Sequence, residues 1–244
     1  MTKPSIKDKI EKNNIKWIQL HFTDLIGRLR TLHMPSNVFI EKVSSDGIGF
    51  DGSSVGFAKV EKSDMIVKPD PDSFLVLPHE KDEARFIGEI YDLSNKPFVS
   101  CPRKILRDSV DFAKKNGFDE VKISPEMEFN VLLKHGEQEP KIVEQQGYFA
   151  PPSLDDCKEY RKTLSEFLIK NDYNVKYHHH ELGLYQHEVE IGPINALSAA
   201  DYCIYFKYLA REVASLFNLL VTFMPKPFSD DAGNGMHDYF FFFI

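Results

Sequence analysis

The segment Ile123-Ser124-Pro125-Glu126-Met127-Glu128-Phe129 carries two glutamates two residues apart, in a run rich in β-branched and aromatic side chains. On a strand that spacing sets both carboxylates on one face. Like charges side by side in an apolar strand repel, and removing them from water is costly. A cation between them relieves both problems, and a divalent ion is the simplest candidate. A half-exposed strand whose polar face happens to carry glutamate would show the same pair, and the pair alone slightly favours that plainer reading. More ligand-type residues follow: Glu181 after His178-His179-His180, Glu188 behind Gln186-His187, and His237 after Gly233-Asn234-Gly235-Met236. A histidine triplet by itself is more often a solvated or internally satisfied cluster than a metal site, so the triplet is assigned scaffolding roles and Glu181 the direct one.

The elements that must position these groups are legible in outline. Residues 5–13 read as a short helix with Ile6 and Ile10 on one face. Residues 16–22 and 28–34 alternate as strands around the turn Asp24-Leu25-Ile26-Gly27, a hairpin. Ser36 is the expected cap of a short helix to about Val43. Gly47 to Ser54, with Asp51 inside it, has the composition of a loop. Short strands are expected over 74–78 and 85–91. A domain boundary falls between Pro97 and Pro102, dividing the chain into 1–100 and 101–244. The second part opens with a helix whose stripe is Ile105, Leu106, Val110 and Ala113, ending at Gly117. After the Glu126/Glu128 strand, 134–150 is a long polar connection ending in Gly147-Tyr148-Phe149. Ser153 and Asp156 suggest a variant capping box for the next helix. Strands are expected over 174–181, 186–191 and 219–224, and a strong helix capped by Ser198 carries Tyr205, Leu209, Val213 and Leu216 in its stripe.

Composition bounds the function. The chain has 244 residues, enough for one large or two smaller domains. Its net charge of -7 argues against a non-specific nucleic-acid binder. The three cysteines Cys101, Cys157 and Cys203 have no CxxC spacing and read as reduced thiols of a cytoplasmic protein. No signal peptide opens the sequence, and no window is long and apolar enough to span a membrane.

The motifs gain meaning from their order. Asp51-Gly52-Ser53-Ser54, Ser63-Asp64-Met65 with Pro69-Asp70, Glu126-x-Glu128-Phe129, Gly147-Tyr148-Phe149, His179-His180-Glu181 with Gln186-x-Glu188, Phe223-Met224-Pro225-Lys226-Pro227 and Gly235-Met236-His237 follow one another along the chain. Together they resemble the glutamine synthetase family in its bacterial and archaeal form, from about Trp17 to His237. The resemblance implies an α+β protein: a small β-grasp N-terminal domain, then a catalytic domain built on a curved antiparallel sheet with outer helices. It implies ATP-dependent joining of ammonia to the γ-carboxylate of L-glutamate through γ-glutamyl phosphate. It also implies two Mg²⁺ or Mn²⁺ ions, Glu128, Glu181 and Glu188 matching the ligands of the first, and Glu126 and His237 two of the ligands of the second. Hard carboxylate oxygens with one imidazole suit such ions. Asp51 matches the aspartate that binds ammonium, contributed in the family by the neighbouring subunit of a homo-oligomer of two stacked hexameric rings. Tyr148 matches a residue near the nucleotide, and Gly233 lies in the loop that touches substrate glutamate.

Several positions depart from that pattern. Ala232 stands where the family has a substrate-contacting asparagine, Lys176 where it has a glutamate associated with the nucleotide, and Tyr239-Phe240-Phe241 where it has a polar residue and a serine. Family members continue well past the histidine, so the sequence reads as the N-terminal portion of the catalytic domain. The run Tyr239 to Ile244 then reads as a frameshift or premature end, with a terminal strand as the plainer alternative. The corresponding second function is a catalytically impaired relative that acts at most as an assembly or regulatory partner of a full-length synthetase. A third reading, an α+β protein with incidental acidic strands, is at odds with the motif order.

Overall fold

The computed structural model describes residues 4–133 and 147–244. It divides into two compact units, Met1–Asn116 and Gly117–Ile244. The first unit contains α1 (Ile6–Lys12), β1 (Trp17–Thr23), β2 (Leu29–Pro35), α2 (Ser36–Val38), β3 (Ile48–Asp51), β4 (Asp64–Pro69), β5 (Leu75–Val76), β6 (Glu83–Tyr91) and α3 (Pro102–Lys115). Its sheet runs β2-β1-β6-β4-β3, with β5 also on β6. The β1–β6 pair is parallel and β1–β2 antiparallel, the mixed sheet of a β-grasp domain. Strand alternation sends Ile18, Leu20 and Phe22 inward, where they meet Phe39, Val67 and Phe86 in a continuous apolar core.

The second unit contains β7 (Glu120–Leu133), α4 (Lys158–Lys170), β8 (Val175–His180), β9 (Gln186–Ile191), β10 (Ile194–Asn195), α5 (Ala196–Leu216), β11 (Leu219–Thr222) and β12 (Met236–Phe243). Its sheet is antiparallel throughout, with β7 between β9 and β10 on one side and β11 and β12 on the other. One face is apolar. Phe129 of β7 packs there against Tyr160 of α4 and Phe206 of α5, with Val189 and Leu164 buried nearby. The opposite face is where the acids sit.

Expected helix ends shift by a few residues. Ser36 begins α2 rather than capping it, because Pro35 occupies the cap and the helix widens into a π-helical turn, Phe39–Val43. The Ser153/Asp156 box does not form: Pro152–Leu154 is a separate turn, and α4 starts only at Lys158. Ser198 sits inside α5, whose cap is Asn195, its side-chain oxygen accepting from the Ser198 amide. In helix α3, Leu106, Val110 and Ala113 of the expected stripe are half-buried, Ile105 is exposed, and no residue is fully buried. The glycine-rich stretch before Asp51 is strand β3, not loop, and the aromatic run after Asp238 is strand β12, exposed along its whole length. Most of the connection over 134–150 lies outside the described residues.

Candidate metal and substrate site

Strand alternation builds the site. On β7, Met127 and Phe129 point to the helices, so Glu126 and Glu128 point away. On β9, His187, Val189 and Ile191 take the helix side, leaving Gln186, Glu188 and Glu190 on the other face with the β7 acids. The register sets Glu128 directly opposite Glu188, and Glu126 opposite Glu190. Two carboxylate pairs thus face each other across a buried ladder, where opposed like charges are destabilising. Next to β9, β8 adds His179 opposite Glu188 and Tyr177 opposite Glu190. On the far side of β7, β12 adds His237 opposite Glu126.

Apart from Glu190, these side chains line a cleft of about 630 Å³ that holds every sequence-predicted site residue of the second unit: Glu126, Glu128, Tyr148, Glu181, Glu188, Gly233 and His237. Glu188 is nearly fully buried, and His179 Nε2 lies 3.2 Å from its Oε1. His179 Nδ1 is 3.5 Å from Glu181 Oε1. His237 Nδ1 is 3.2 Å from Glu126 Oε2 and 3.6 Å from Glu128 Oε1. The other Glu128 oxygen accepts from Gln186 Nε2 at 2.7 Å and from the Gly235 amide at 2.9 Å. Gln186 Nε2 also donates to the Gly233 carbonyl at 2.8 Å, so one amide locks the 233–235 loop onto the acidic strand. Gly233 must lack a side chain, because a Cβ would come within 2.6 Å of the Pro225 carbonyl.

The electrostatics show the strain of this crowding. Burial pushes the Glu181 carboxyl up, and the Glu188 and Glu128 charges add to it against the Leu182 amide and His179. Burial would lower the His179 pKa, but its hydrogen bond to Glu188 and the nearby carboxylates leave it raised. The Tyr148 phenol is pushed up by burial and then by Glu181, Glu188 and Glu126. Two ligand sets have donor atoms all within 4.8 Å of one another: His179, Glu181 and Glu188, and Glu126, Glu188 and His237. Carboxylate oxygens with one imidazole each, half-enclosed and short of positive charge, fit Mg²⁺ or Mn²⁺.

Asp51 lies in the other unit, at the end of β3. Its Oδ1 accepts from the Ser53 amide at 2.9 Å and from Ser53 Oγ at 2.6 Å, and its Oδ2 from Ser54 Oγ at 2.8 Å. Those hydroxyls and the amide hold its pKa down to about 2. Of the residues around the acidic face, the sequence motifs pass over Glu190. The signal for Glu190 was present in the 186/188/190 alternation of β9. His179, expected to support the ligands, touches both Glu181 and Glu188 with its ring. Tyr239 follows from β12 and is held protonated chiefly by its hydrogen bond to Glu126. Of the departing residues, Ala232 lines the cleft and Lys176 is ion-paired with Glu190.

Comparison with known proteins bears on this arrangement. Residues 14–93 match the family model described as glutamine synthetase, beta-Grasp domain, and residues 99–240 that described as glutamine synthetase, catalytic domain. A glutamine synthetase from Pyrococcus woesei is 38% identical over 226 residues, covering 92% of this chain and 51% of that relative. One from Thermotoga maritima is 39% identical over 243 residues, covering 97% and 55%. Among solved structures, a GmaS/ADP complex superposes with a TM-score of 0.91 at 24% identity, covering 100% of this chain and 56% of that one. A Plasmodium falciparum glutamine synthetase superposes with a TM-score of 0.83 at 24% identity, covering 98% and 55%. The chain spans about half the length of the curated relatives it matches. Among the described residues no helix is long and apolar enough to cross a membrane.

Proposed function

The chain belongs to the glutamine synthetase family, and from that premise we propose that its acidic cleft serves ATP-dependent ligation of ammonia to the γ-carboxylate of L-glutamate. The observation that carries this reading is the pair of ligand sets sharing Glu188, on the face of the antiparallel sheet that its helices leave open. Mg²⁺ or Mn²⁺, when bound by His179, Glu181, Glu188, Glu126 and His237, would neutralise the ATP phosphates there. A γ-carboxylate oxygen of glutamate attacks the γ-phosphorus of ATP and ADP leaves. The lone pair of ammonia then attacks the acyl carbon of γ-glutamyl phosphate, phosphate leaves and a proton is lost.

The protein's own groups have distinct tasks in that sequence. Gln186 fixes Glu128 and the Gly233 carbonyl relative to each other, which sets the floor against which glutamate lies. Tyr148 and Phe149 pack edge-to-face against the His179 ring and close one wall of the cleft where the nucleotide is assigned. Asp51, with a pKa held near 2, is ionised at any working pH. Its task is therefore to hold ammonium as a cation, more than to act as a strong base. In the homo-oligomer the family resemblance implies, the Asp51 loop serves a neighbouring copy's cleft.

The test is release of phosphate and formation of glutamine by the purified chain with ATP, glutamate, ammonium and Mn²⁺. Turnover that requires ammonium and disappears in E188A is expected. A folded sample that binds Mn²⁺ yet shows no turnover would overturn the catalytic reading. It would favour the second one, an impaired relative that joins a full-length synthetase, for which Ala232 in the cleft and Lys176 on Glu190 already speak. Co-purification with a complete synthetase then decides that version.

A further inference from the structure

The acidic face has two ends, and they are neutralised differently. At the Glu128/Glu188 end the carboxylates meet imidazoles, amides and open cleft. At the Glu126/Glu190 end a fixed ammonium is already in place. Glu190 is 1% exposed, and its Oε1 is paired with Lys176 Nζ. Its other oxygen, Oε2, is buried and meets no hydrogen-bond partner among the described residues, although the Tyr177 hydroxyl leans on the same carboxylate. The site opens into a second cavity of about 300 Å³ bordered by Ser124, Glu126, Tyr177 and Tyr239.

Lys176 reaches this position through a break in the ladder. Val175 pairs with Ile191 and Tyr177 with Glu190, so Lys176 is the extra residue of a β-bulge. Regular alternation would send it to the face opposite Tyr177. A bulge re-aims a side chain, and here it brings the ammonium to the acidic face, 5.6 Å over the Tyr177 ring.

We propose that Lys176 is a tethered cation filling a third cation subsite of the acidic row, formed by Glu190 and Glu126, and that without its charge this subsite takes up a divalent ion. The proposal rests on the reading of the row as a divalent-cation site. Because a buried carboxylate that loses its ionic partner is strongly destabilised, the lost ammonium must be replaced by another cation or by a proton.

The test is Mn²⁺ binding to the whole purified chain, followed by electron paramagnetic resonance of free Mn²⁺ and by calorimetry. K176M is expected to bind one more Mn²⁺ per chain than the wild type, or to bind its last Mn²⁺ at least tenfold more tightly. K176R, which keeps the charge, and K176M/E190Q, which removes both partners, are expected to bind as the wild type does. K176Q carries the same expectation as K176M should the methionine variant fail to fold. Folded K176M or K176Q with wild-type stoichiometry and affinity would overturn the tethered cation while leaving the metal row standing. A wild type that binds no Mn²⁺ would overturn both.

Discussion

The two units each bury glutamates, and they neutralise them in opposite ways. In the N-terminal unit, the buried Glu89 receives Arg103 Nη1 at 2.7 Å and also Arg107, while Arg103 Nη2 holds Asp70 at 2.7 Å. Asp24 is likewise matched by Arg30 at 2.9 Å. In the second unit, Glu188 faces Glu128, a histidine at 3.2 Å stands where an arginine could have been, and of the Glu126/Glu190 pair Glu190 has Lys176 as its ionic partner. That unit can build a closed ion pair, as Asp155 with Arg161 demonstrates on the helix side of the sheet. The acidic face is therefore a local choice. An acid matched by the chain itself holds the fold together, whereas acids matched by other acids leave a charge deficit that something from outside must fill.

The comparison breaks most visibly if a matched acid loses its partner. Arg103→Met should destabilise the N-terminal unit by about 3 kcal/mol, since it takes away one of the two guanidinium groups that Glu89 and Asp70 share, and the one nearer to Asp70, in a partly buried setting. Urea unfolding followed by the tryptophan signal of Trp17 would report it, and Mn²⁺ should not restore the loss. The second unit should respond in the reverse sense. Mn²⁺ at a hundred times its dissociation constant should stabilise it by about 2.7 kcal/mol, and a chelator should remove that gain. In E188A the gain should vanish, because both ligand sets share Glu188.

A smaller effect sharpens the contrast further, because it differs in sign between the units. In chelator, Glu188→Gln should leave the second unit level with or about 1 kcal/mol more stable than the wild type, by relieving the opposed Glu128. Glu89→Gln should destabilise the first unit, because it leaves two guanidinium groups without their carboxylate. Parallel thermal melts of the two variants decide it. Equal losses in both would mean that the acidic row is already balanced within the chain.

How much of this contrast could be read from the sequence depends on what each residue's role required. The Glu126/Glu128 spacing and the strand pattern were enough to predict a shared carboxylate face, because side-chain direction on a strand is set by parity. Glu190 obeys the same parity, two residues beyond Glu188, but belongs to none of the motifs. Lys176 could not be read at all, since a bulge cancels parity and leaves no composition signal. The helix caps failed for a related reason. Ser36, Ser153 and Ser198 have the right chemistry, but the residue that caps is the one at which the chain enters the helix, here Pro35, Cys157 and Asn195. The Asp70 and Glu89 pairs with Arg103 and Arg107 join residues of different elements, so no spacing rule finds them.

The smallest predicted effect comes from two histidines that differ as the units do. His21 is buried in the N-terminal unit, with Gln19 Oε1 2.9 Å from its Nε2, and burial pulls its pKa down to about 3. His179, among carboxylates, has its pKa raised. For His21 the folded state excludes the proton that the unfolded chain takes up near pH 6.5, so protonation favours unfolding. Its stabilising contribution is complete above that pH and falls as pH drops through 6.5 towards 3. Between pH 7.5 and 6 the loss should be about 0.8 kcal/mol, and H21Q should flatten that part of the profile. The metal-free His179 has the reverse sign: its contribution is present below pH 6.5 and lost as pH rises through its raised folded value. Stability profiles of H21Q and H179Q in chelator should therefore depart from the wild type in opposite directions. Departures in the same direction would mean that the two rings share one kind of environment, and that the electrostatic division between the units does not extend to their histidines.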